Sequence, residues 1–528
     1  MKVQRILSRQ VCWTGLGTLV FAMLAGCAAP QGIPSVPPTV AQKVSACENL
    51  QGQTIAGVTV TRTQRFGASA TTGGTGLCKV SGTKAPFLDI EVVVPDNWSG
   101  RLFHQGGGGF DGVIRSALTF NNSGVLTEVH PTVSQKGAVY TSSNGGNRAT
   151  IPEQAGPRVW ATGSAEGKAS ADDYAYKALW TTVKFAKGIT RVFFAQEPAR
   201  TYFTGCSNGG RNGYIAAQRW PNEYDGIVSG CETMDMTGQT SAWTRFGRLS
   251  GTPAALTVEQ YKSAYAAAVN ACDANDGVQD GYLANPGACR FDPSRLQCGQ
   301  SSANADPNLC LSAAQVGTLK MLLSDVKLTD GTLVYSRYNW SDFSSVGPRF
   351  GVLGSAYVML ATGNPLWLTP AQQASFDIDA MYTTVGFGLN RLGLDHDKAA
   401  IAAYVASGKK LISWHATGDN LLSANDHVRN FTAMTQLVKG LGVDDPSVHA
   451  RLFMAPTSTH GAAQSWKEVD WASAIIDWVE NNKAPQQLTY TFTQAGATAP
   501  RSLPVCLSPQ APRYISGDAQ RATSYACE

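Results

Sequence analysis

The sequence predicts an α/β fold with a mostly parallel sheet, interrupted by one large insertion. Three observations predict it. Short apolar segments alternate with helical ones from about residue 86 to 234. The same alternation resumes at 399. Between 235 and 398, Pro, Gly, Cys and Trp are frequent and no strand–helix rhythm is sustained. Strands that alternate with helices of this length make a parallel sheet covered on both faces.

The elements follow in order. "PFLDIEVVVPD" (86–96) and "RLFH" (101–104) are rich in β-branched and aromatic residues and bounded by Pro, Asn and Gly, as strands are. "GAVYTSS" (137–143) is a further short strand. "DDYAYKALWTTVKFAKGIT" (172–190) repeats apolar residues at helical spacing and predicts a helix ending at Lys187-Gly188. "RTYFTG" (200–205) is a strand, "GRNGYIAAQRW" (210–220) a helix stopped by Pro221, and "YDGIVSG" (224–230) the next strand. "AAIAAYVASGKKLISWHATGD" (399–419) reads as helix, glycine stop and buried strand. "ARLFMAP" (450–456) is the last strand expected, and "DWASAIIDWVENNKAP" (470–485) an amphipathic closing helix.

Composition bounds the class. The chain has 528 residues, too many for one simple core, with 43% hydrophobic and 15% charged residues. That is a packed globular protein. A net charge of +4 without a basic tract gives no reason to expect nucleic acid.

The N-terminus reads as an export signal. Lys2, Arg5 and Arg9 precede "GLGTLVFAMLAG" (15–26), an apolar run too short to span a bilayer. Leu24-Ala25-Gly26-Cys27 resembles a bacterial lipobox, in which Cys27 is lipidated after cleavage. An ordinary signal cut near Ala28-Ala29 is the alternative. Residues 28–45 are Pro-rich and predict an extended tether. The expected location is the bacterial envelope, as an outer-membrane lipoprotein, or the secreted fraction; a lipid anchor would be the sole membrane contact. Export implies an oxidising compartment. Of 12 cysteines, Cys12 and Cys27 fall in the signal and ten remain, enough for five bridges.

The chemistry centres on Gly205-Cys206-Ser207-Asn208-Gly209. A serine in a G-x-S-x-G frame, between a strand and a helix, is the context of a nucleophile elbow. The helix behind it offers free N–H groups to developing negative charge. Asn208 is therefore one expected oxyanion donor. The second should come from the loop after an early strand, and "FHQGGGGFDG" (103–112) is placed there, with Gly109 as the candidate. The general base needs a histidine in a loop after a late strand. Of seven histidines, His460 in "TSTHGAA" is the one so placed. His415 lies within a strand and reads as packed core. His427 lies in a helix-like stretch and reads as exposed or structural. His104 ends an early strand and could line the pocket. Asp419, just past a strand edge, is the candidate acid; Asp426 is the alternative, inside the following helix.

Asp273, Asp276 and Asp280 put three hard carboxylates within eight residues, with Gly277 and Gly281 allowing a tight loop. A structural calcium site or an exposed acidic turn would each produce this pattern.

These segments together resemble the tannase/feruloyl esterase family from about Cys47 to the C-terminus. "GCSNGGRNGYIAAQRWPNEYDGIVSG" resembles its G-C-S-x-G-G nucleophile motif. "WHATGDNLLSANDH" is similar to its acid segment, "CDANDGVQDG" to its calcium loop, and "PVCLSP…YACE" to its terminal cysteine pair. The resemblance implies an α/β-hydrolase with catalytic residues in 46–234 and 399–528 and a lid over 235–398. It implies a serine carboxylesterase acting on small esters of aromatic or phenolic acids through Ser207, His460 and Asp419. An aryl monoester hydrolase, an aliphatic polyester hydrolase and a catalytically silent binding lipoprotein are the alternatives. It further implies structural Ca²⁺ held by Asp273, Asp276 and Asp280 with the carbonyls of Val278 and Tyr282. The implied disulfides are Cys47–Cys78, Cys272–Cys289, Cys298–Cys310 and Cys506–Cys527.

One departure stands out. The family places a second cysteine directly after the catalytic histidine, bridging it to the nucleophile motif; this chain has Gly461 there. Cys206 must do otherwise. Cys231 ends the neighbouring strand, so a Cys206–Cys231 bridge is expected, two buried thiols being the alternative. In the lid, Trp243, Phe246, Tyr335, Tyr338, Trp340, Phe343, Phe350, Tyr357 and Trp367 would roof an acyl pocket or fill the lid's own core. "RFGVLGS" (349–355) resembles the segment with which terephthalate monoester hydrolases hold a substrate carboxylate, making Arg349 a candidate contact.

Overall fold

The computed structural model describes residues 39–528 except 233, 302, 303, 305, 365–376 and 495. The export signal, Cys12, Cys27, tether residues 28–38 and Trp367 lie outside the described residues.

Twelve strands form one sheet, numbered here in chain order for that sheet alone. They are β1 (Thr54–Ile55), β2 (Val58–Phe66), β3 (Leu77–Lys84), β4 (Leu88–Pro95), β5 (Arg101–Gln105) and β6 (Val139–Ser143). β7 (Arg200–Cys206), β8 (Gly226–Gly230), β9 (Lys410–Ala416), β10 (Ala450–Ala455), β11 (Leu488–Phe492) and β12 (Arg501–Leu507) complete it. The spatial order is β1-β2-β3-β4-β6-β5-β7-β8-β9-β10-β12-β11. The middle six, β6 to β10 with β5, pair in parallel. β1–β4 on one side and β11–β12 on the other are antiparallel. The expected parallel sheet is thus the centre of a larger mixed one, and β10 is not the last strand. β8 is buried at all five positions, as a parallel strand covered on both faces must be.

Two boundaries differ from expectation for identifiable reasons. Residues 40–45, expected in the tether, belong to a helix Val40–Glu48, started by a capping box in which Thr39 and Gln42 satisfy each other's backbone N–H. The helix expected to end at Lys187-Gly188 runs from Ala178 to Phe194 and turns left-handed only at Ala195 (φ 52°). Gly188 is there for close packing: a Cβ would stand 2.3 Å from Ile55 Cγ2 of β1.

The insertion is largely helical. Met236–Gly247, Val258–Cys272, Phe350–Thr362 and Ile378–Leu392 are its long helices among the described residues. Trp243, Phe246, Tyr335, Tyr338, Trp340, Phe343, Phe350 and Tyr357 are all buried in one apolar cluster there. Eight of the nine aromatics expected at a pocket roof are therefore buried in a cluster that the insertion shares with Phe87, Trp160, Tyr174 and Leu422. Trp243 Nε1–H and the Tyr338 hydroxyl both donate to Leu421 O, at 2.9 and 2.8 Å. These bonds fasten the lid to the chain just beyond Asp419.

Cys47–Cys78, Cys272–Cys289, Cys298–Cys310 and Cys506–Cys527 are bonded as the resemblance implies. Cys206 and Cys231 are not: both are buried free thiols. The register explains it. Cys206 pairs with Gly230, so Cys231 lies one residue beyond, on a left-handed backbone (φ 52°). The two thiols meet as hydrogen-bonded neighbours, and burial followed by the adjacent sulfur pushes the Cys231 thiol well up.

Candidate active site

Ser207 directly follows β7 at φ 61° and ψ −127°, a backbone that L-residues rarely adopt. The chain can turn this sharply because its neighbours have no side chains. A Cβ on Gly205 would stand 2.4 Å from Gly209 O, and one on Gly209 would stand 2.7 Å from Gly107 O. The same absence lets the Gly106–Gly109 loop lie against the start of the helix Asn208–Arg219. Ser207 N–H donates to Gly230 O (2.9 Å), tying the turn to β8.

Two N–H groups near the turn lack a backbone acceptor for separate reasons. Asn208 is the first residue of its helix, where an N–H has no intrahelical acceptor. In the glycine loop, Gly108 O accepts from Asp111 N–H (2.9 Å). A trans peptide directs its two polar atoms oppositely, so this bond turns the Gly109 N–H outward. Asp111 also accepts through Oδ1 from Gly108 N–H (2.8 Å) and from the Asn208 side-chain amide (2.9 Å). One half-buried carboxylate thus clamps the glycine loop to the nucleophile helix. Burial pushes Asp111 up to about 6, against the opposing pull of Asn208 and Arg211. Sequence reasoning missed Asp111. It lies two residues past the glycines, and no motif marks it. Tyr174 OH donates to Gly109 O (3.0 Å) and hydrogen-bonds the lid residue Tyr357 (2.8 Å).

His460 and Asp419 come together as expected: His460 Nδ1 is 2.8 Å from Asp419 Oδ2. Asp419 is fully buried, and its Oδ1 accepts from the N–H groups of Leu421 and Leu422 at 2.8 and 2.9 Å. Burial opposes its charge, but His460 and His415 outweigh that and hold it well below the usual carboxylate range. Burial likewise opposes the imidazolium of His460. The Asp419 charge and hydrogen bond outweigh it and push His460 up to about 9.

Without the family's bridge, the histidine loop is held by other bonds. His460 N–H donates to Asn420 Oδ1 (3.1 Å), and Asn420 Nδ2 donates to Asp342 O (2.6 Å) in the lid. The lid hydroxyl of Ser341 reaches both Gly418 O and Ser458 O, in the acid loop and the histidine loop respectively. Gly461 N–H faces the Cys231 sulfur.

The remaining candidates separate. Asp426 is buried within the first turn of Ala424–Gly440 and is spent on Ser336 N–H, Arg429 and Asn430. His104 does not line a pocket: it is buried against Tyr224 OH (2.8 Å), and burial lowers it to about 3. His415 is core, as expected of its strand. His427 is fully buried rather than exposed. Arg349 is exposed at the N-terminal end of Phe350–Thr362.

In the acidic loop, Asp273 accepts from the N–H groups of Gly281 (2.8 Å) and Tyr282 (3.2 Å). Asp280 is paired with the buried Arg501 (2.5 Å). Asp276 Oδ2 is buried with no partner, and burial with the two neighbouring carboxylates pushes Asp276 up to about 6. The donors are of the type a hard cation takes. Among the described residues, no three His, Cys, Asp or Glu side chains stand in metal-holding geometry.

A strained serine between strand and helix, with buried acid and histidine on later strand ends, defines an α/β-hydrolase site. Residues 71–528 match the family model described as tannase and feruloyl esterase, and the chain belongs to that family. It is a carboxylic ester hydrolase. It is 26% identical over 476 residues to a probable feruloyl esterase of Arthroderma benhamiae, covering 83% of this chain and 82% of that one. It is 27% identical over 528 residues to the mono(2-hydroxyethyl) terephthalate hydrolase of Piscinibacter sakaiensis, covering 85% and 84%. Among solved structures, feruloyl esterase B from Aspergillus oryzae superposes with TM-score 0.75 at 19% identity, covering 92% of this chain and 100% of that one. The tannin acyl hydrolase of Aspergillus niger gives 0.69 at 19% identity, covering 93% and 96%. At these identities the superpositions speak to fold alone.

Proposed function

We propose that the protein hydrolyses esters of phenolic and other small aromatic acids through a Ser207 acyl-enzyme. The observation that supports this reading is the strained Ser207 at the start of its helix, with the hydrogen-bonded His460–Asp419 pair on loops that follow later strands. Ser207 Oγ attacks the ester carbonyl carbon as His460 Nε2 takes its proton. Asp419 keeps the proton on His460 Nδ1 and stabilises the imidazolium. The N–H groups of Asn208 and Gly109 receive the oxyanion. The imidazolium protonates the departing alkoxide, and water then repeats the sequence on the acyl-enzyme. The phenolic acyl group is inferred from family membership and from relatives named feruloyl esterase. Arg349 is the candidate contact should the acyl group carry a second carboxylate.

The test is a fluorophosphonate probe followed by peptide mass mapping. The expected adduct is on Ser207, absent in Ser207→Ala. Labelling elsewhere, or none, overturns the reading.

We also propose that the loop 273–282 takes structural Ca²⁺ through Asp273, Asp276, Asp280 and the carbonyls of Val278 and Tyr282. The partnerless Asp276 oxygen supports it. The ion would neutralise three clustered carboxylates and has no part in the chemical step. Four disulfides and the signal-like N-terminus support export, with Cys27 as the lipidation site; palmitate labelling lost in Cys27→Ala tests it.

A further inference from the structure

Behind the His460–Asp419 pair lies a chain of buried polar side chains that the mechanism does not use. His415 Nε2 stands 3.4 Å from Asp419 Oδ2 and 3.2 Å from Leu422 O. His415 Nδ1 is 2.8 Å from His427 Nδ1. His427 Nε2 is 2.6 Å from Tyr214 OH, which is 2.8 Å from Ser413 Oγ. His415, His427, Ser413 and Tyr214 are all fully buried.

Donor arithmetic gives this chain a direction. Both neighbours of His415 Nε2 are acceptors, so that nitrogen carries the hydrogen. A neutral His415 then has a bare Nδ1, so His427 must donate to it from Nδ1. Neutral His427 has a bare Nε2, which accepts from the Tyr214 hydroxyl; Tyr214 in turn accepts from Ser413. Every bond is satisfied with no charge on either ring. Burial pushes His427 well down and keeps it neutral.

We infer that His415 is a positioning residue of the triad: its Nε2–H, fixed in tautomer by His427, Tyr214 and Ser413, holds the Asp419 oxygen that binds His460. The inference rests on the Ser207–His460–Asp419 reading. Asp419 Oδ2 then lies between two imidazole donors, and Oδ1 between two backbone donors, so the carboxylate cannot rotate away from His460. The donor also disperses its charge, so Asp419 pulls less strongly on the imidazolium. Losing the donor should therefore raise the pH at which His460 becomes a base.

The experiment is the pH profile of kcat/KM for an aromatic ester in His415→Phe, His415→Gln and Tyr214→Phe, each checked for an unchanged melting transition. Asp419, Cys206 and Glu232 face His460; Asp419, His396 and the partner ring face His427. Tyr338 and Cys231 also face Asp419. Burial lowers His396 to about 3 and pushes Cys231 well up, so neither titrates near neutrality. His415→Phe should lower kcat about ten- to hundredfold, as loss of a hydrogen bond to a charged group does. Its acidic limb should move to higher pH. His415→Gln, which keeps a donor toward Asp419 and an acceptor toward His427, should restore most of both. Tyr214→Phe, chosen in case His415→Phe does not fold, should move the limb the same way by less. ¹⁵N shifts of selectively labelled histidines should show His415 bare at Nδ1. A wild-type limb in folded His415→Phe and Tyr214→Phe, or a His415 protonated at Nδ1, overturns the inference. Ser207→Ala is the control: if it retains activity, the triad reading fails; if it is inactive while the His415 variants match wild type, only the positioning role fails.

Discussion

Ser207 and His460 illustrate how far single residues are set by their surroundings. The serine's frame, its strand and its helix are all readable from sequence, because the turn needs glycines at fixed offsets. The order Ser–Asp–His was readable too, because each partner follows a strand. The Asp111 clamp and the His415–His427 chain were not, since they depend on side chains brought together from distant elements. Asp419→Asn should lower kcat by about 10⁴, since it favours the wrong His460 tautomer. Asp426→Asn should instead lose about 1–3 kcal/mol of stability with kcat largely kept, since Asp426 serves buried hydrogen bonds. Paired kcat and melting measurements separate the two. The His460 value gives opposite trends for stability and catalysis. Its folded value is raised, so the ion pair stabilises fully below the ordinary 6.5 and that contribution is lost as pH rises through about 9. Catalysis needs the neutral ring, so kcat/KM should climb with pH toward the same limb. An activity profile falling from pH 7 to 9 in a still-folded protein would contradict it.

At the level of elements, the central parallel strands and their helices were legible because both follow simple periods. The flanking antiparallel strands were less so. β2, β3, β11 and β12 are partly exposed and pair locally, without a helix between them to mark the rhythm. Gly188 reads as a stop in the sequence, which does not show that Ile55 of β1 presses on that helix. The nucleophile elbow and glycine loop depend on contact between two backbones. Gly209→Ala should force them apart, given the 2.7 Å approach to Gly107 O, and lower kcat by about 10² or more with less effect on KM. Steady-state kinetics check this, and a kcat within twofold of wild type would show that the loop position is not critical.

Over the whole molecule, residues of the insertion help hold the acid and histidine loops together. Where relatives are expected to tie nucleophile and histidine loops with sulfur, Ser341, Asp342 and Asn420 tie the acid and histidine loops through hydrogen bonds. The disulfide pairs were legible by resemblance, whereas Cys206–Cys231 was not, because strand proximity does not fix the reach between two sulfurs. Alkylation of the denatured, non-reduced protein should mark Cys206 and Cys231 and leave the other eight mature cysteines unlabelled. Chelation of Ca²⁺ should lower the melting temperature by several degrees if the acidic loop holds the ion. An unchanged transition would count against that site.

The most direct test of the account is kcat/KM on methyl ferulate, methyl gallate and a short aliphatic ester, for wild type and Ser207→Ala. The account predicts that the aromatic esters are preferred and that Ser207→Ala loses at least about a thousandfold on every substrate. Equal rates in the two proteins, or preference for the aliphatic ester, would contradict it.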